Sequence, residues 1–330
     1  MSSTVQLSPR ASDVHQVERR TIIQGVRAMK KVIVIAGATA TGKSSFGLRL
    51  AHALNTEIIS CDSIQVYRDL NIGSAKLSRA EMEGVEHHCI NTRNLDEGYS
   101  VYDFQQEARA AIEKIHAEGK IPILVGGTGL YLKAVLYDYD FDREEMKILQ
   151  SDEDNATLYA KLIELDPVSA GTIHVNNRKR ILRALEIAES GETKSQREAK
   201  QEKKTIYDVT MVVMDIPNAV LEQRISERIQ NMIENGWVEE VKRCFSHPAT
   251  WTYQSFQGIG YKEWKEYLQA NASLEETLLS IRIHTRQFAK RQRTWFRHQS
   301  DATWVNALDP AALDKTAENI ITWAKQEVEV

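Results

Sequence analysis

The sequence predicts an α/β fold, in which helices flank a parallel sheet, and two observations carry this prediction. Short apolar, β-branched segments alternate with longer segments whose apolar residues recur at helical spacing. The first apolar segment, residues 31–36, leads through a glycine-bounded loop into a helical pattern at residues 45–54. The loop reads Gly37-Ala38-Thr39-Ala40-Thr41-Gly42-Lys43-Ser44. A strand, a GxxxxGK[ST] loop and a helix in this order are typical of P-loop NTPase-like folds.

Composition limits what kind of protein this is. The chain has 330 residues, 42% hydrophobic and 27% charged, which suffices for one large domain and a smaller one. The net charge of −4 argues against a uniformly basic nucleic-acid binder but allows a local basic face. The three scattered cysteines form no CxxC pair, which fits a reducing cytosol. No apolar run approaches the length of a membrane span, so we expect a cytoplasmic protein without membrane contact.

The glycine-bounded loop has the chemistry of a phosphate site. Glycines let the backbone curl so that several N–H groups point at one anion. The following helix adds the positive end of its dipole, and Lys43 adds a full charge. The Ser44 hydroxyl is suited to Mg²⁺. The loop therefore predicts bound phosphate and a magnesium ion, but it does not reveal the phosphorylated molecule.

Two later strands add candidate residues at the same edge of the sheet. Asp62 follows the short strand at Ile58-Ile59, so it is predicted to face the ligand, although it could merely cap the next turn. The strand Ile123–Val125 ends in Gly126-Gly127-Thr128-Gly129, where many P-loop ATPases carry an aspartate. This argues against an ordinary ATPase. Thr128 offers a hydroxyl on a loop whose glycines allow a ligand to approach, or the loop is a plain tight turn.

The remaining segments suggest a domain organisation. Residues 1–29 are polar and read as a flexible extension, whereas 30–137 and 205–330 form the P-loop core with C-terminal helices. Residues 138–204 are polar and helical and are predicted to form an inserted subdomain. The strand at residues 210–216 ends at Asp215, which either replaces the missing acidic residue or simply begins a turn. A helical pattern follows at residues 219–245, with a break at Gly236.

A basic helix is predicted near the C-terminus, at residues 277–300, a span without any acidic residue. Five of its cations follow one another at steps of four, four, three and four, which places them along one helical face: Arg282, Arg286, Lys290, Arg293 and Arg297. Surface helices usually mix both signs of charge. The stripe therefore favours contact with nucleic acid or phosphate over an ordinary solvated surface.

Several motifs together resemble the tRNA dimethylallyltransferase (tRNA isopentenyltransferase, or IPP transferase) family, in its bacterial form. Besides Gly37–Ser44, the resemblance rests on Asp62-Ser63-Ile64-Gln65-Val66-Tyr67-Arg68, Asn71–Lys76, His87-His88, Tyr99–Phe104, Gly126–Tyr131, Asn177-Arg178-Lys179-Arg180, Gly260-Tyr261-Lys262-Glu263 and Arg286–Phe296. It spans nearly everything from Lys31 to about residue 307. A P-loop alone would be generic, but this ordered set is highly specific.

The resemblance implies a reaction and roles for individual residues. The enzymes of this family transfer a dimethylallyl group from dimethylallyl diphosphate to N6 of adenosine 37, next to the tRNA anticodon, and release diphosphate. By this resemblance, Gly37 to Ser44 would bind the diphosphate with Mg²⁺ at Ser44, and Asp62 and Thr128 would be catalytic. The implied tRNA-binding residues are Asp62, Ser63, Ile64, Gln65, Lys179, Arg180, Ile181, Leu182, Arg183, Gln257, Gly260, Tyr261, Lys262 and the five cations of the basic helix. We expect a monomer.

Two other enzyme classes share part of this pattern. An adenylate (free nucleotide) isopentenyltransferase shares the loop and Asp62, but it needs neither a long basic helix nor a helical insertion. A small-molecule kinase shares only the loop.

Overall fold

The computed structural model describes residues 29–139, 151–200, 204–299 and 301–326. Its centre is a six-stranded, all-parallel sheet with the strand order β3-β2-β4-β1-β5-β6. The strands are β1 (Lys31–Gly37), β2 (Ile58–Cys61), β3 (His87–His88), β4 (Ile123–Gly126), β5 (Asp208–Asp215) and β6 (Thr303–Asn306). The predicted parallel α/β fold is confirmed.

The central strand, β1, has side chains buried on both faces, as its unbroken apolar run predicts. It pairs with β4 on one side, where Ile33 lies opposite Ile123, and with β5 on the other, where Ile33 lies opposite Thr210. Because all strands run in the same direction, the loops after β1, β2 and β4 meet at one edge of the sheet. The phosphate loop, Asp62 and Thr128 follow β1, β2 and β4, respectively.

The helices lie on both faces of this sheet or in the segment between β4 and β5. They are α1 (Lys43–Leu54), α2 (Val101–Ala117), α3 (Gly129–Leu136), α4 (Asn155–Leu165), α5 (Pro167–Ala170), α6 (Arg178–Glu189), α7 (Lys194–Lys200), α8 (Asn218–Glu234), α9 (Trp237–Phe245), α10 (Lys265–Leu268), α11 (Leu274–Gln299) and α12 (Pro310–Lys325). Three 3₁₀ turns join α9 to α10: Pro248–Thr252, Gln254–Gln257 and Lys262–Trp264.

Local sequence signals explain several helix boundaries. Helix α2 begins with a capping box, in which the Ser100 hydroxyl accepts from the Asp103 N–H and the Asp103 carboxylate accepts from the Ser100 N–H. The predicted break at Gly236 separates α8 from α9, and this residue has a φ of +93°, a conformation that favours glycine. Basic helix α11 begins at Leu274, three residues before the predicted start.

Two apolar layers cover the sheet. One face packs against α1 and α12, through residues such as Phe46 and Ile320. The other face packs against a larger layer that includes α2, α3, α8, α9 and α11, with Phe104, Trp237 and Phe296 fully or almost fully buried. Helix α11 therefore lies against the core, so only part of its circumference can face solvent.

The segment between β4 and β5 has an apolar cluster of its own. Helices α4 to α6 contribute Leu158, Leu162, Ile181 and Leu185 to it. Asp166 supports the same segment, since it caps α5 through the Ser169 N–H and accepts from the Ser195 N–H at α7. Residues 140–150 and 201–203 of the predicted subdomain, and all of the predicted extension except Met29, lie outside the described residues. The division into domains stays a prediction.

Candidate active site

The phosphate loop, Asp62 and Thr128 come together at the carboxyl edge of the sheet, as the sequence predicted. The loop follows β1, Asp62 follows β2, and Thr128 lies after β4 at the start of α3. Thr39, Asp62 and Thr128 line one cavity of about 290 Å³. Asp62 and Thr39 also line a smaller neighbouring cavity of about 110 Å³, together with Lys43 and Ser44.

The loop has the backbone geometry of an anion cradle. Ala40 and Gly42 have φ values of +62° and +92°. These two left-handed residues curl the loop so that successive N–H groups turn inward. The backbone N–H groups from Ala40 to Ser44 have no acceptor within the described parts of the chain. The Thr39 N–H differs, since it donates to the Gln292 side chain at 3.0 Å. Residues 40–44 therefore offer the loop's open donors.

Gly37 shows why the loop begins with glycine. Its φ is +143°, and an added Cβ atom would lie 2.5 Å from the Met214 carbonyl oxygen on β5. A side chain at this position would push the loop away from the neighbouring strand. The buried Thr41 hydroxyl fixes the loop further, since it donates to the Ala38 carbonyl oxygen at 2.9 Å.

Lys43 is held in an unusual electrostatic environment. Burial, and secondarily the Arg228 guanidinium, lower the pKa of Lys43 to about 7, whereas Asp62 acts in the opposite direction. Its Nζ atom donates to the Ala38 carbonyl oxygen at 2.6 Å. Burial also lowers the pKa of Arg228, and Asp62 again opposes the shift. Two basic side chains beside a single carboxylate make this an environment that favours an anion.

Asp62 caps a turn and also lines the cavities. Its Oδ1 atom accepts from the backbone N–H groups of Ile64 and Gln65, at 2.8 and 3.2 Å, and so caps the turn after β2. No hydrogen-bond partner for Oδ2 is found among the described residues. The turn thus fixes the carboxylate while one oxygen remains available at the cavity.

The glycines around Thr128 lie close to other parts of the protein. A Cβ atom on Gly126 would lie 2.4 Å from the Cys61 carbonyl oxygen. On Gly129 it would lie 2.4 Å from the Trp295 ring of α11. The Thr128 N–H donates to the Cys61 carbonyl oxygen at 3.4 Å, while its side chain makes no capping bond to α3. The hydroxyl is therefore available at the cavity wall.

Part of the predicted tRNA-binding set lies beside this cavity. Ser63, Ile64, Gln257 and Gly260 line the same 290 Å³ space as Asp62. Gln65 lines the neighbouring 110 Å³ cavity, where its amide accepts from the Ser60 hydroxyl and donates to the backbone of residues 74 and 75. Lys262 is exposed close by.

Two predicted tRNA-binding residues have fully buried side chains. Tyr261 donates through its hydroxyl to Glu240 at 2.8 Å, and Ile181 packs in the apolar cluster of α4 to α6. Any contact with tRNA at these two positions would have to use the backbone. Their neighbours Lys179, Arg180 and Arg183 are exposed on α6, with Leu182 half-buried, and none of them lines the 290 Å³ cavity.

The basic face of α11 is only partly available. Arg286, Lys290, Arg293 and Arg297 line one groove of about 600 Å³ between α11 and α8, so they do share a face. Arg293, however, donates to Asp215 at 2.8 Å, and Arg286 pairs with Glu222 of α8. Asp215 thus anchors α11 instead of lining the cavities around Asp62. Arg282 is half-buried, and Lys290 is exposed.

Two residues of the site escaped the sequence reasoning. Arg228 of α8 lines three adjoining cavities, of about 290, 110 and 950 Å³, the last of which also contains Lys43 and Ser44. Gln292 of α11 contacts the phosphate loop. A signal for Arg228 was present, since it lies at the edge of an apolar helical stripe formed by Ile225, Ile229 and Met232.

Metal-binding groups are sparse. Within the described ranges, no cluster of three or more His, Cys, Asp or Glu side chains could hold a metal ion. Nor does any described helix have both the length and the apolar character needed to cross a membrane.

The fold and the site define a class of protein: a P-loop α/β protein whose anion cradle faces a fixed carboxylate, Asp62, and a half-buried arginine, Arg228. A model of the IPP transferase family matches residues 65–299. This chain belongs to the IPP transferase family, which confirms the resemblance drawn from its motifs.

Individual relatives agree with this assignment. A tRNA dimethylallyltransferase from an Exiguobacterium species is 46% identical over 288 residues, which cover 84% of this chain and 91% of that protein. The crystal structure of a Staphylococcus epidermidis tRNA Δ(2)-isopentenylpyrophosphate transferase matches with a TM-score of 0.66 and 36% identity, covering 89% of this chain and 98% of the other. A eukaryotic dimethylallyltransferase acting on tRNA matches with a TM-score of 0.78 and 32% identity, over 91% of this chain and 82% of that one.

Proposed function

We propose that this chain is a tRNA dimethylallyltransferase, which transfers a dimethylallyl group from dimethylallyl diphosphate to N6 of adenosine 37 and releases diphosphate. One observation carries the proposal: in a member of the IPP transferase family, an anion cradle, a half-buried arginine and a fixed carboxylate meet at one cavity. The prediction of a tRNA-modifying prenyltransferase is confirmed by the family and by the names of the relatives. The assignment of individual residues is our proposal.

The phosphate loop and Arg228 would bind the leaving group. As the bond between the allylic carbon and the diphosphate oxygen breaks, negative charge grows on the diphosphate. The open N–H groups of residues 40–44, together with Lys43 and Arg228, would stabilise this charge. These donors are in place before the reaction, so little reorganisation is required.

Mg²⁺ would be held by Ser44. A lone hydroxyl fits this ion, because Mg²⁺ commonly takes few protein ligands and completes its shell with phosphate oxygens and water. The Ser44 side chain is exposed at the start of α1, and it lines the cavities that contain Lys43. When bound, the ion would neutralise part of the diphosphate charge.

Asp62 would act on the nucleophile. Its Oδ2 atom is available to accept a hydrogen bond, and then the proton, from the N6 amine as nitrogen bonds to the allylic carbon. The adenine amine is a weak nucleophile, so its alignment matters as much as the basicity of the carboxylate. The two backbone N–H groups on Oδ1 hold the carboxylate in its orientation. Thr128 would contact the reacting groups from the facing wall.

The tRNA would reach the cavity with its target base turned out of the stack, since a stacked base cannot enter an enclosed site. Ser63, Ile64, Gln257 and Gly260 would surround this base. Outside the cavity, the exposed cations of α6 and α11 would contact backbone phosphates, which supply affinity more than sequence choice. On this view, residues 138–204 are the inserted tRNA-binding subdomain.

We further propose a cytoplasmic monomer. The buried, unpaired Cys61, Cys89 and Cys244 suit a reducing compartment. Size-exclusion chromatography with light scattering would measure the oligomeric state.

The function is tested by incubating the protein with labelled dimethylallyl diphosphate, Mg²⁺ and unmodified tRNA, followed by nucleoside analysis. We expect label on N6 of adenosine 37. Parallel reactions replace tRNA with AMP, or the prenyl donor with ATP. If AMP is prenylated as fast as tRNA, the protein is instead a free-nucleotide transferase. Rapid ATP turnover without the prenyl donor would indicate a kinase.

The site is tested with Asp62→Asn, which keeps an oxygen for the turn but removes the base. We expect transfer to fall by about a hundredfold to ten-thousandfold, with tRNA binding retained. Arg228→Gln should instead raise the KM for the prenyl donor. The exposed Asp96→Asn is the matched control. Unchanged transfer by the Asp62→Asn variant would refute the role of this carboxylate.

A further inference from the structure

The side chain of Gln292 joins two loops of the site. Its Oε1 atom accepts from the Thr39 N–H of the phosphate loop at 3.0 Å, and its Nε2 atom donates to the Gly127 carbonyl oxygen at 3.0 Å. The amide is buried and lines the small cavity that also contains Asp62 and Lys43. One side chain thus bridges the loop after β1 and the loop after β4.

Gly127 leaves space for this amide because it has no side chain. A Cβ atom on Gly127 would lie 2.2 Å from the Gln292 Nε2 atom and 3.0 Å from the Gly37 carbonyl oxygen. The glycine therefore lets the Gln292 amide, the phosphate loop and the Thr128 turn pack closely. The chemistry of the amide also matters, because only a group that both donates and accepts can satisfy the two loops at once.

Gln292 belongs to the helix that carries the basic face. One residue further along α11, Arg293 is anchored to Asp215, and one turn further Trp295 fills the space beside Gly129. One turn earlier, Phe288 lines both cavities that contain Asp62. One face of α11 therefore contacts the site while another carries the cations.

We propose that Gln292 is a positioning residue for dimethylallyl transfer. It fixes the distance between the phosphate loop, which binds the leaving group, and the Thr128 turn, which contacts the reacting groups. It also ties both loops to α11, so that a displacement of this helix is transmitted to the donor site. This inference rests on the proposed function.

The test compares Gln292→Met and Gln292→Glu with the parent. Methionine keeps the volume but loses both hydrogen bonds, so the loops should lose their spacing. We expect kcat at saturating tRNA and prenyl donor to fall about tenfold or more, since small displacements of reacting groups are costly. The KM for tRNA should stay within about twofold. Gln106→Met, at an exposed position of α2, is the matched control.

Gln292→Glu adds a signature that loss of packing would not produce. An ionised carboxylate can accept from the Thr39 N–H but cannot donate to the Gly127 carbonyl oxygen, whereas a protonated carboxyl can do both. The activity of this variant relative to the parent should therefore rise as the pH falls from 8 to 6.

The outcomes separate the inference from the function on which it rests. An inactive parent refutes the proposed function, whatever the variants do. An active parent with unchanged Gln292→Met kinetics overturns the positioning role. So does a change confined to the KM for tRNA, which would mean a direct tRNA contact. If circular dichroism shows both variants unfolded, Gln292 is a core residue and the inference also fails.

Discussion

The affinity of the site for its prenyl donor should depend on pH through Lys43. Burial and the nearby Arg228 lower the pKa of Lys43 to about 7 in the free protein. A diphosphate in the loop would add negative charge beside the ammonium and raise this pKa again. Above pH 7, binding must therefore take up a proton, so the donor should bind more weakly as the pH rises.

The magnitude follows from the free pKa. If only the protonated lysine binds the donor well, the apparent dissociation constant rises by up to tenfold for each pH unit above 7. Between pH 7 and pH 9 the loss is about 50-fold, or about 2 kcal/mol. The effect ends only where the pKa of the bound lysine is reached, near or below its ordinary value of 10.5.

Isothermal titration calorimetry without tRNA measures this effect directly. Titrations of dimethylallyl diphosphate at pH 8.5, in two buffers of different ionisation enthalpy, should report an uptake of nearly one proton. Lys43→Arg is the control, because a guanidinium stays charged across this range and should flatten the pH dependence. An affinity that is constant from pH 7 to 9, or an equal slope in the variant, would refute the reasoning.

Two further predictions concern the scaffold and the tRNA interface. The buried Glu240 accepts from the backbone N–H groups of Asn71, Ile72 and Gly73 and from the Tyr261 hydroxyl. Glu240→Ala leaves these donors unsatisfied, so it should lower the free energy of unfolding by about 3 kcal/mol or more. Urea denaturation measures this change, and a decrease below about 1 kcal/mol would contradict the prediction. Lys290→Ala should weaken tRNA binding and reduce the slope of the logarithm of the binding constant against the logarithm of the salt concentration by about one. The control Lys315→Ala, at an exposed position of α12, should leave this slope unchanged. Equal slopes in both variants would reject Lys290 as a phosphate contact.

What the sequence predicted well has a local signature. The phosphate loop is encoded in eight consecutive residues, and Asp62 immediately follows its strand, so both lie where the strand order of a parallel sheet brings loops together. The break at Gly236 and the course of α11 also follow from short-range patterns. In each case the residues that determine the structure lie within one or two turns of one another.

What the sequence did not reveal depends on contacts between distant residues. Gln292 meets Thr39 across 253 positions and Gly127 across 165. Likewise, α11 looks like a bare basic stripe when its own residues are counted, because its acidic partners, Asp215 and Glu222, lie on β5 and α8. The Thr128 loop depends on distant contacts in the same way: a pattern of glycines shows that something approaches, but not that Cys61, Gln292 and Trp295 do so.

Arg228 also has a consequence for inhibitor design. Its side chain forms a shared wall between the 290 Å³ cavity next to Asp62 and the 950 Å³ cavity that opens beyond Ser44. A compound long enough to occupy both must pass this guanidinium. Two arms joined by a central anionic group would fit that path, with an adenine-like arm next to Asp62 and a polar arm towards Ser44. Such a compound would engage both halves of the site through the one guanidinium that they share.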